Sequence, residues 1–369
     1  MAEPLDLKEI VSTEGLTIKT VFVLGAGFTH AFFPKAPLLT DDYAGELLAK
    51  FEKLPHARRI LELEQSKNPE GKINIERLLT RLDGKMPYDF KSSVQEELAL
   101  LLSELKLAFL RRLEEAKDEK SHIDELQSLA RYCIDKRINC LTFNYDDFFD
   151  QSLWDVHKPT FIGPPHKPYW HPDGGYGFFC RPSTDCIMES HSYMDQTAML
   201  LLKLHGSVNW RPKRGAATPY GIDSIVHHET WLDPPVPDSW PHTKTAIETH
   251  LEPVPLIVPP VLMKSALTKE PILQVVWSRA YEILSQAERV VFIGYSLPIT
   301  DIAAGFLFGE TLLNRNLSQI QVINYTMGKE DKKRIQEAYK NVFLDISEIQ
   351  FDFRDALEWV QELLHNKKG

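Results

Sequence analysis

Two segments of the chain place polar side chains that can do chemistry directly after apolar runs. Asn144 and Asp146 follow the run at 138–143, and His205 follows the run at 199–204. An imidazole can remove a proton near neutral pH, while an amide and a carboxylate can position water and stabilise a developing cation. These three side chains are therefore candidate catalytic residues. Taken singly, Asn144 or Asp146 could cap a helix, and a lone histidine is more often a packed residue.

The segment Gly25-Ala26-Gly27 follows an apolar run that begins at Thr20, which is the pattern of a buried strand turning into a helix. Glycines there allow backbone N–H groups to approach a diphosphate, although a turn needed only for packing explains them equally well. His30 replaces the third glycine of the usual dinucleotide fingerprint. An ordinary hydride-transfer site is therefore poorly supported.

Two more apolar runs end in small or polar residues. Gly294, Tyr295 and Ser296 follow one run, and Asn324 ends another. Because the carboxyl ends of parallel strands share one edge of a sheet, we expect these tips to meet the glycine segment and the catalytic candidates. The sequence thus predicts a ligand crevice at that edge.

The alternation of apolar runs with helical patterns predicts an α/β fold. We expect a Rossmann-like parallel sheet of about six strands flanked by helices, with further strands at 255–258, 289–293 and 320–324. The helices expected in the second half of the chain lie at 271–287, 300–313, 328–341 and 353–364.

A helical pattern between the first two strands predicts an inserted subdomain. We assign residues 36–135 to this insertion, and residues 18–35 and 136–369 to the sheet domain. Two stretches rich in proline, glycine and aromatics, at about 154–194 and 211–253, are expected to be long loops that cover a site.

Composition excludes several classes of function. The 369 residues carry a formal net charge of −10, which disfavours direct binding to nucleic acid. An apolar run long enough to span a bilayer is lacking, so no membrane role is expected. The four cysteines form no C-x-x-C pair and no signal peptide is evident, which favours a cytoplasmic protein.

The ordered motifs resemble the sirtuin superfamily, and within it the divergent prokaryotic branch of antiviral NAD hydrolases. Sirtuins have a Gly-Ala-Gly loop, a Thr-x-Asn-x-Asp motif, a histidine followed by glycine, a Gly-Thr-Ser turn and a strand ending in Ile-Asn. The chain has the same order over roughly residues 18–330, with Tyr295 in place of threonine. A Gly-Tyr-Ser-Leu-Pro turn with Asp301 downstream is typical of the prokaryotic branch, and Glu76 resembles an acidic position in its helical insertion.

The resemblance implies an NAD hydrolase that breaks the bond between nicotinamide and ribose, with NAD as its substrate. It implies that His205 is the base, that Asn144 positions water and ribose, and that Asp146 gives electrostatic support. The NAD-binding residues that it implies are Gly25, Ala26, Gly27, Phe28, Thr29, Thr142, Gly206, Gly294, Tyr295, Ser296, Asp301 and Asn324.

Two departures from the superfamily weaken a deacylase interpretation. Deacylases carry a zinc module with two C-x-x-C pairs, whereas Cys180 and Cys186 have no partners at a suitable spacing, so no metal is expected. The Pro-x-Phe-Arg stretch of deacylases is also replaced, by residues 32–37. An NAD-dependent protein deacylase and a non-catalytic NAD or ADP-ribose sensor remain as alternatives.

The resemblance also implies a biological setting. Related NAD hydrolases are toxic effectors of prokaryotic antiviral systems that act by abortive infection. We therefore expect a homo-oligomer and a separate sensor or activator, such as a HerA-type ATPase or an Argonaute-like protein.

Overall fold

The structure is a computed structural model that describes most of the chain from Thr20 to His365. Among these residues, no helix is long and apolar enough to cross a membrane. Cys180, Cys186 and most of the two predicted loops at 154–194 and 211–253 lie outside the described residues. The described ranges are 20–37, 43–68, 70–73, 75–83, 86, 88–89, 91–117, 122–156, 168–178, 181–182, 197–212, 225–227, 255–258, 270–299, 301–312, 319–343 and 349–365.

Nine strands form two sheets within the described ranges. Their bounds are β1 Thr20–Leu24, β2 Asn139–Thr142, β3 Arg181–Pro182, β4 Leu201–Lys203, β5 Trp210–Pro212, β6 Ile225–His227, β7 Arg289–Ile293, β8 Gln319–Ile323 and β9 Ile349–Asp352. The main sheet has the order β4-β2-β1-β7-β8-β9, and all of its pairs are parallel. The predicted α/β fold with a six-stranded parallel sheet is confirmed.

Helices cover the sheet and fill the interval between β1 and β2. Their bounds are α1 Ala26–Phe32, α2 Ala44–Lys50, α3 Pro55–Ser66, α4 Ile75–Asp83, α5 Ser92–Lys117, α6 Ile123–Lys136, α7 Phe148–Asp155, α8 Pro172–Gly175, α9 Pro271–Gln286, α10 Ile302–Leu312, α11 Lys329–Val342 and α12 Ala356–His365. Every helix predicted for the second half of the chain is present within a few residues of its predicted bounds.

The order of the strands in the main sheet reverses at one point, and this point determines where a ligand crevice is expected. The chain builds β1, β2 and β4 outward in one direction, and β7, β8 and β9 outward in the other. The reversal lies between β1 and β7, and open parallel sheets bind ligands outside the carboxyl ends of the strands at such a point. Gly25 follows β1 and Gly294 follows β7, so both glycine turns lie at this position.

One predicted strand is wrong, and β9 of the main sheet and the short strands β3, β5 and β6 of the second sheet were missed by the sequence analysis. The segment 255–258 does not join the main sheet; it makes a single antiparallel bridge in which Ile257 pairs with Gly206. Val258 N donates to the carbonyl of His205 at 2.8 Å, so this apolar segment supports the backbone of the histidine turn. The sixth strand is β9, a short edge strand with a mostly half-buried pattern.

Some of the helices between β1 and β2 share a separate apolar core. Residues from α2, α3, α4 and the first half of α5 form one cluster, which includes Leu47, Leu61 and Leu101. The second half of α5 and all of α6 pack in the core of the sheet instead. An insertion with the bounds 36–135 therefore remains a proposal, and the packing of α6 favours an earlier end.

Gly294 is a position where only glycine fits. Its φ is +65°, and a Cβ added there would lie 2.0 Å from the backbone nitrogen of Phe28. Gly294→Ala is therefore expected to lower the free energy of unfolding by at least about 2 kcal/mol, measured by urea denaturation. Gly309→Ala is the matched control, because its Cβ would meet nothing within 4 Å on α10. A stability for Gly294→Ala equal to that of the wild type would contradict this account of the turn.

Candidate active site

A cavity of about 430 Å³ opens at the carboxyl edge of the sheet, within the size range of small-molecule sites. It brings together residues from the ends of β1, β2, β4, β7 and β8, and Phe109 and Leu113 of α5 also line it. The predicted site residues that line it are Ala26, Gly27, Thr29, Asn144, Asp146, His205, Gly294, Tyr295, Ser296, Asp301 and Asn324.

A chain of hydrogen bonds fixes the orientation of Asn144. Its amide nitrogen donates to the carbonyl of Gly25 at 2.8 Å and to the hydroxyl of Thr29 at 2.9 Å. A backbone carbonyl can only accept, so the nitrogen must face Gly25. The amide oxygen of Asn144 is then the atom that can accept a hydrogen bond from a ligand or a water molecule.

The same chain ends at Asp146. Thr29 accepts from Asn144 and donates its own proton to Oδ2 of Asp146 at 2.7 Å. The second carboxylate oxygen, Oδ1, accepts the backbone N–H of Phe148 at 3.3 Å. The predicted pair of an amide and a carboxylate is thus held together by one threonine from the glycine loop.

A buried lysine next to Asp146 neutralises part of the acidic charge. The ammonium of Lys203 lies 3.1 Å from both carboxylate oxygens of Asp150 and also donates to the backbone carbonyl of Asp146. Tyr176 donates to Asp150 as well, and Asn209 donates to the hydroxyl of Tyr176 at 3.0 Å. Lys203 is 0% exposed, so this ion pair is fully desolvated.

The protein environment of Asp146 raises the pKa of its carboxyl above the value in water. Burial raises its pKa from the ordinary 3.8 to about 6, while the ammonium of Lys203 and the hydroxyl of Thr29 oppose that rise. The carboxyl is therefore mostly ionised at pH 7.5. It carries a negative charge in a poorly solvated position, where an adjacent cation would be stabilised strongly.

The raised pKa of Asp146 gives a pH-dependent prediction. The carboxyl binds its proton more tightly in the folded state, at about 6, than at the ordinary 3.8. The free energy of unfolding therefore loses about 2 kcal/mol from this group as the pH rises from about 4 to about 6. Asp146→Asn removes the titration, so the unfolding free energy of the variant minus that of the wild type is expected to rise by this amount over the same interval.

Urea unfolding of both proteins from pH 4 to pH 7.5 measures that difference. The exposed change Asp331→Asn serves as the control for general effects of charge. A difference between Asp146→Asn and the wild type that stays constant across the whole range would contradict the account of the buried carboxyl.

His205 is held against a second carboxylate. Its Nε2 lies 3.4 Å from Oδ2 of Asp301, and both side chains are buried. The hydroxyl of Tyr295 donates to the same oxygen of Asp301 at 2.9 Å. The ring of Tyr295 stacks on Phe143 at 4.3 Å, and Phe143 meets the imidazole edge to face at 5.1 Å. Asp301, predicted as an NAD contact, therefore contacts the histidine.

The glycine loop approaches the second glycine turn closely. Gly25 N donates to the carbonyl of Ile293 and Gly27 N to the carbonyl of Gly294, both at 3.0 Å. A Cβ on Gly25 would lie 2.5 Å from the carbonyl oxygen of Gly294. The lack of a side chain at Gly25 thus allows the two turns to pack together. The two glycine N–H groups are already paired with protein carbonyls.

Four predicted site residues lie behind the cavity wall. Gly25 packs on Gly294, and the side chain of Phe28 lies in the core against Phe32 and Phe149. Thr142 accepts the backbone N–H of Asn144 through its hydroxyl, at 3.1 Å. Gly206 has a φ of +81°, and its bridge to Ile257 fills the space where a side chain would stand. These residues support the lining residues and do not line the cavity themselves.

Several residues of the site were missed by the sequence reasoning. Tyr145 and Asp355 line the cavity, as do the α5 residues Phe109 and Leu113. Lys203 lies inside an apolar run, and a charged residue in such a run was the one available signal of a buried ion pair. Glu76 lies in α4, but its side chain is not among those that the structure describes.

Two residues that line the cavity, His30 and Asn324, each have a buried nitrogen atom without a hydrogen-bond partner among the described residues. The atoms are Nδ2 of Asn324 and Nδ1 of His30. Asn324 follows β8, and its backbone N–H donates to the carbonyl of Asp352 at 3.0 Å. Because a buried polar atom without a partner costs about 1–3 kcal/mol, such atoms point to a ligand or to ordered water.

Fold and site together define an open parallel α/β protein with a ligand cavity at the reversal of its strand order. No family model and no curated protein matches the chain. Solved structures that are similar include Sir2Tm bound to a propionylated peptide, at 14% identity and a TM-score of 0.37, covering 95% of this chain and 93% of that one.

Two further similar structures are also sirtuins. One concerns the structural basis of sirtuin substrate affinity, at 15% identity and a TM-score of 0.42, covering 95% of this chain and 94% of that one. The other is Sir2 with a p53 peptide and NAD⁺, at 13% identity and a TM-score of 0.37, covering 95% and 93%.

Proposed function

We propose that this protein binds NAD in the cavity at the sheet edge and hydrolyses the bond between nicotinamide and ribose. The observation that carries the proposal is the convergence of Asn144, Asp146 and His205 on one cavity of about 430 Å³. The three side chains follow β2 and β4, which pair with each other in the sheet. Helix capping or core packing, the alternative roles of these residues, would not explain why all three line the same cavity.

The chemistry of NAD suits a site with one base and a buried anion. Nicotinamide is a cationic pyridinium in NAD, so it departs as a neutral molecule without a general acid. Positive charge then develops on the ribose, and a carboxylate in a poorly solvated site stabilises it. Asp146 supplies that charge, because its carboxyl is mostly ionised at pH 7.5 in spite of its burial.

The remaining steps need a positioned water molecule and a base. The amide oxygen of Asn144 accepts a hydrogen bond from water, since the amide nitrogen is held by Gly25 and Thr29. His205 removes the proton from that water or from a ribose hydroxyl. Asp301 acts as a positioning residue, since it fixes the imidazole and is itself fixed by Tyr295.

NAD consumption with identification of the products tests the proposal. The purified chain is incubated with NAD, alone and together with the protein encoded next to it, and the products are analysed by mass spectrometry. We expect nicotinamide and ADP-ribose in equal amounts. Formation of acyl-ADP-ribose only when an acylated peptide is added would show a deacylase. NAD that binds without being consumed under either condition would show a sensor.

We further propose that NAD depletion serves a prokaryotic antiviral system that acts by abortive infection. This proposal rests on the resemblance of the motifs, as do a homo-oligomeric state and a HerA-type ATPase or Argonaute-like partner. A phage challenge of cells that carry the chain with its neighbouring gene tests it. NAD is expected to fall only after infection, and a constant NAD level during successful protection would contradict this role.

A further inference from the structure

His30 lines the cavity from α1 and has no role in the hydrolysis described above. It lies four residues after Ala26 and three after Gly27, so the three residues share one face of the helix, and all of them line the cavity. The ring nitrogen Nδ1 is buried and has no hydrogen-bond partner among the described residues. A buried nitrogen of this kind needs a partner. The last torsion of a histidine side chain has a broad range, so a turn of the ring can present this nitrogen to a ligand in the cavity.

The diphosphate is the part of a dinucleotide that finds neither lysine nor arginine among the described residues of the cavity wall. The lining residues that the structure describes include three carboxylates, Asp146, Asp301 and Asp355, and neither lysine nor arginine. A diphosphate in this cavity needs hydrogen-bond donors to offset its charge. The N–H groups of Gly25 and Gly27 already donate to protein carbonyls.

We propose that Nδ1–H of His30 donates a hydrogen bond to the diphosphate of the bound dinucleotide. This inference rests on the proposed function, because it takes NAD or ADP-ribose as the ligand. It makes His30 a binding residue that distinguishes phosphate-bearing ligands from nucleosides. A side chain thus performs at this position what backbone N–H groups perform in ordinary dinucleotide-binding loops.

Calorimetric titration with ADP-ribose tests the contact without turnover. Loss of a hydrogen bond to a charged group is expected to weaken the binding of ADP-ribose to His30→Ala by about 10- to 100-fold. Asparagine places its amide nitrogen near the position of Nδ1, so His30→Asn is expected to stay within about threefold of the wild type. Glutamine reaches the position of Nε2 instead, so His30→Gln is expected to bind as weakly as the alanine variant.

Two controls separate the contact from a general defect. His56→Ala removes an exposed histidine on α3 and is expected to leave the affinity for ADP-ribose unchanged. Adenosine, which has no phosphate, is expected to bind the wild type and His30→Ala with equal affinity. Thermal unfolding of each variant confirms that the fold is retained.

The outcomes distinguish this inference from the proposed function. An affinity of His30→Ala for ADP-ribose within about threefold of the wild type would overturn the contact, whatever the activity. Equal affinities of the asparagine and glutamine variants would also overturn it. Wild-type protein that binds ADP-ribose through His30 but does not cleave NAD would remove the hydrolase and leave the contact in place. Failure of the wild type to bind ADP-ribose would overturn both.

Discussion

His205→Ala and Asn144→Ala are each expected to lower the rate of NAD cleavage by at least about 10²-fold, and by as much as about 10⁴-fold for the base. His205 is the proposed base, and Asn144 presents the amide oxygen that positions water. The measurement is the initial rate of nicotinamide release at saturating NAD.

The fold is expected to survive both changes, which makes the activity loss interpretable. After Asn144→Ala, the carbonyl of Gly25 still accepts the N–H of Phe28 at 2.9 Å, and the hydroxyl of Thr29 still donates to Asp146. His171→Ala is the matched control for His205, since His171 packs on Trp154 and lies away from the cavity wall. Undiminished turnover in either active-site variant, with a normal thermal unfolding curve, would remove that residue from the mechanism.

Lys203→Met is expected to cost about 3–5 kcal/mol of unfolding free energy. The change leaves Asp150 fully buried without its cation, and Lys203 also holds the backbone carbonyl of Asp146. Burial raises the pKa of Asp150, and the ammonium of Lys203 opposes that rise, so loss of the ammonium drives the carboxyl toward its protonated form. Urea denaturation at pH 7.5 measures the loss.

A double variant separates the buried charge from the packing of the lysine stem. Lys203→Met combined with Asp150→Leu removes both charges and is expected to recover most of the stability that the single variant loses. Lys333→Met, at a lysine that is 77% exposed, is the surface control. A loss below about 1 kcal/mol for Lys203→Met would show that the buried ion pair contributes little to the free energy of unfolding.

The sequence was sufficient to predict the sheet because its inner strands are short apolar runs with turn residues after them. Strand β7, for example, is buried on both faces and reads as a continuous apolar run. Strand β9 was not predicted because it is an edge strand of four residues, Ile349–Asp352, with polar positions and only partial burial. The segment 255–258 has the composition of a strand, but its hydrogen bonds go to the turn that carries His205.

The site was predictable only where its residues lie at strand ends. The parallel sheet rule brings Asn144, Asp146 and His205 together without any knowledge of distances. The pairing of Lys203 with Asp150 spans 53 residues and depends on how α7 packs below the sheet, which no local pattern encodes. The contact of Asp301 with His205 is equally tertiary, so the sequence resemblance assigned Asp301 to NAD and not to the histidine.

The location of NAD in the protein tests the central claim most directly. A crystal structure of the His205→Ala variant soaked with NAD, in which cleavage is blocked, would show where the dinucleotide binds. We predict the nicotinamide ribose beside Asn144 and Asp146, and the adenosine end beside Asn324. NAD bound outside this cavity, or a cavity that stays empty at a saturating concentration, would contradict the account.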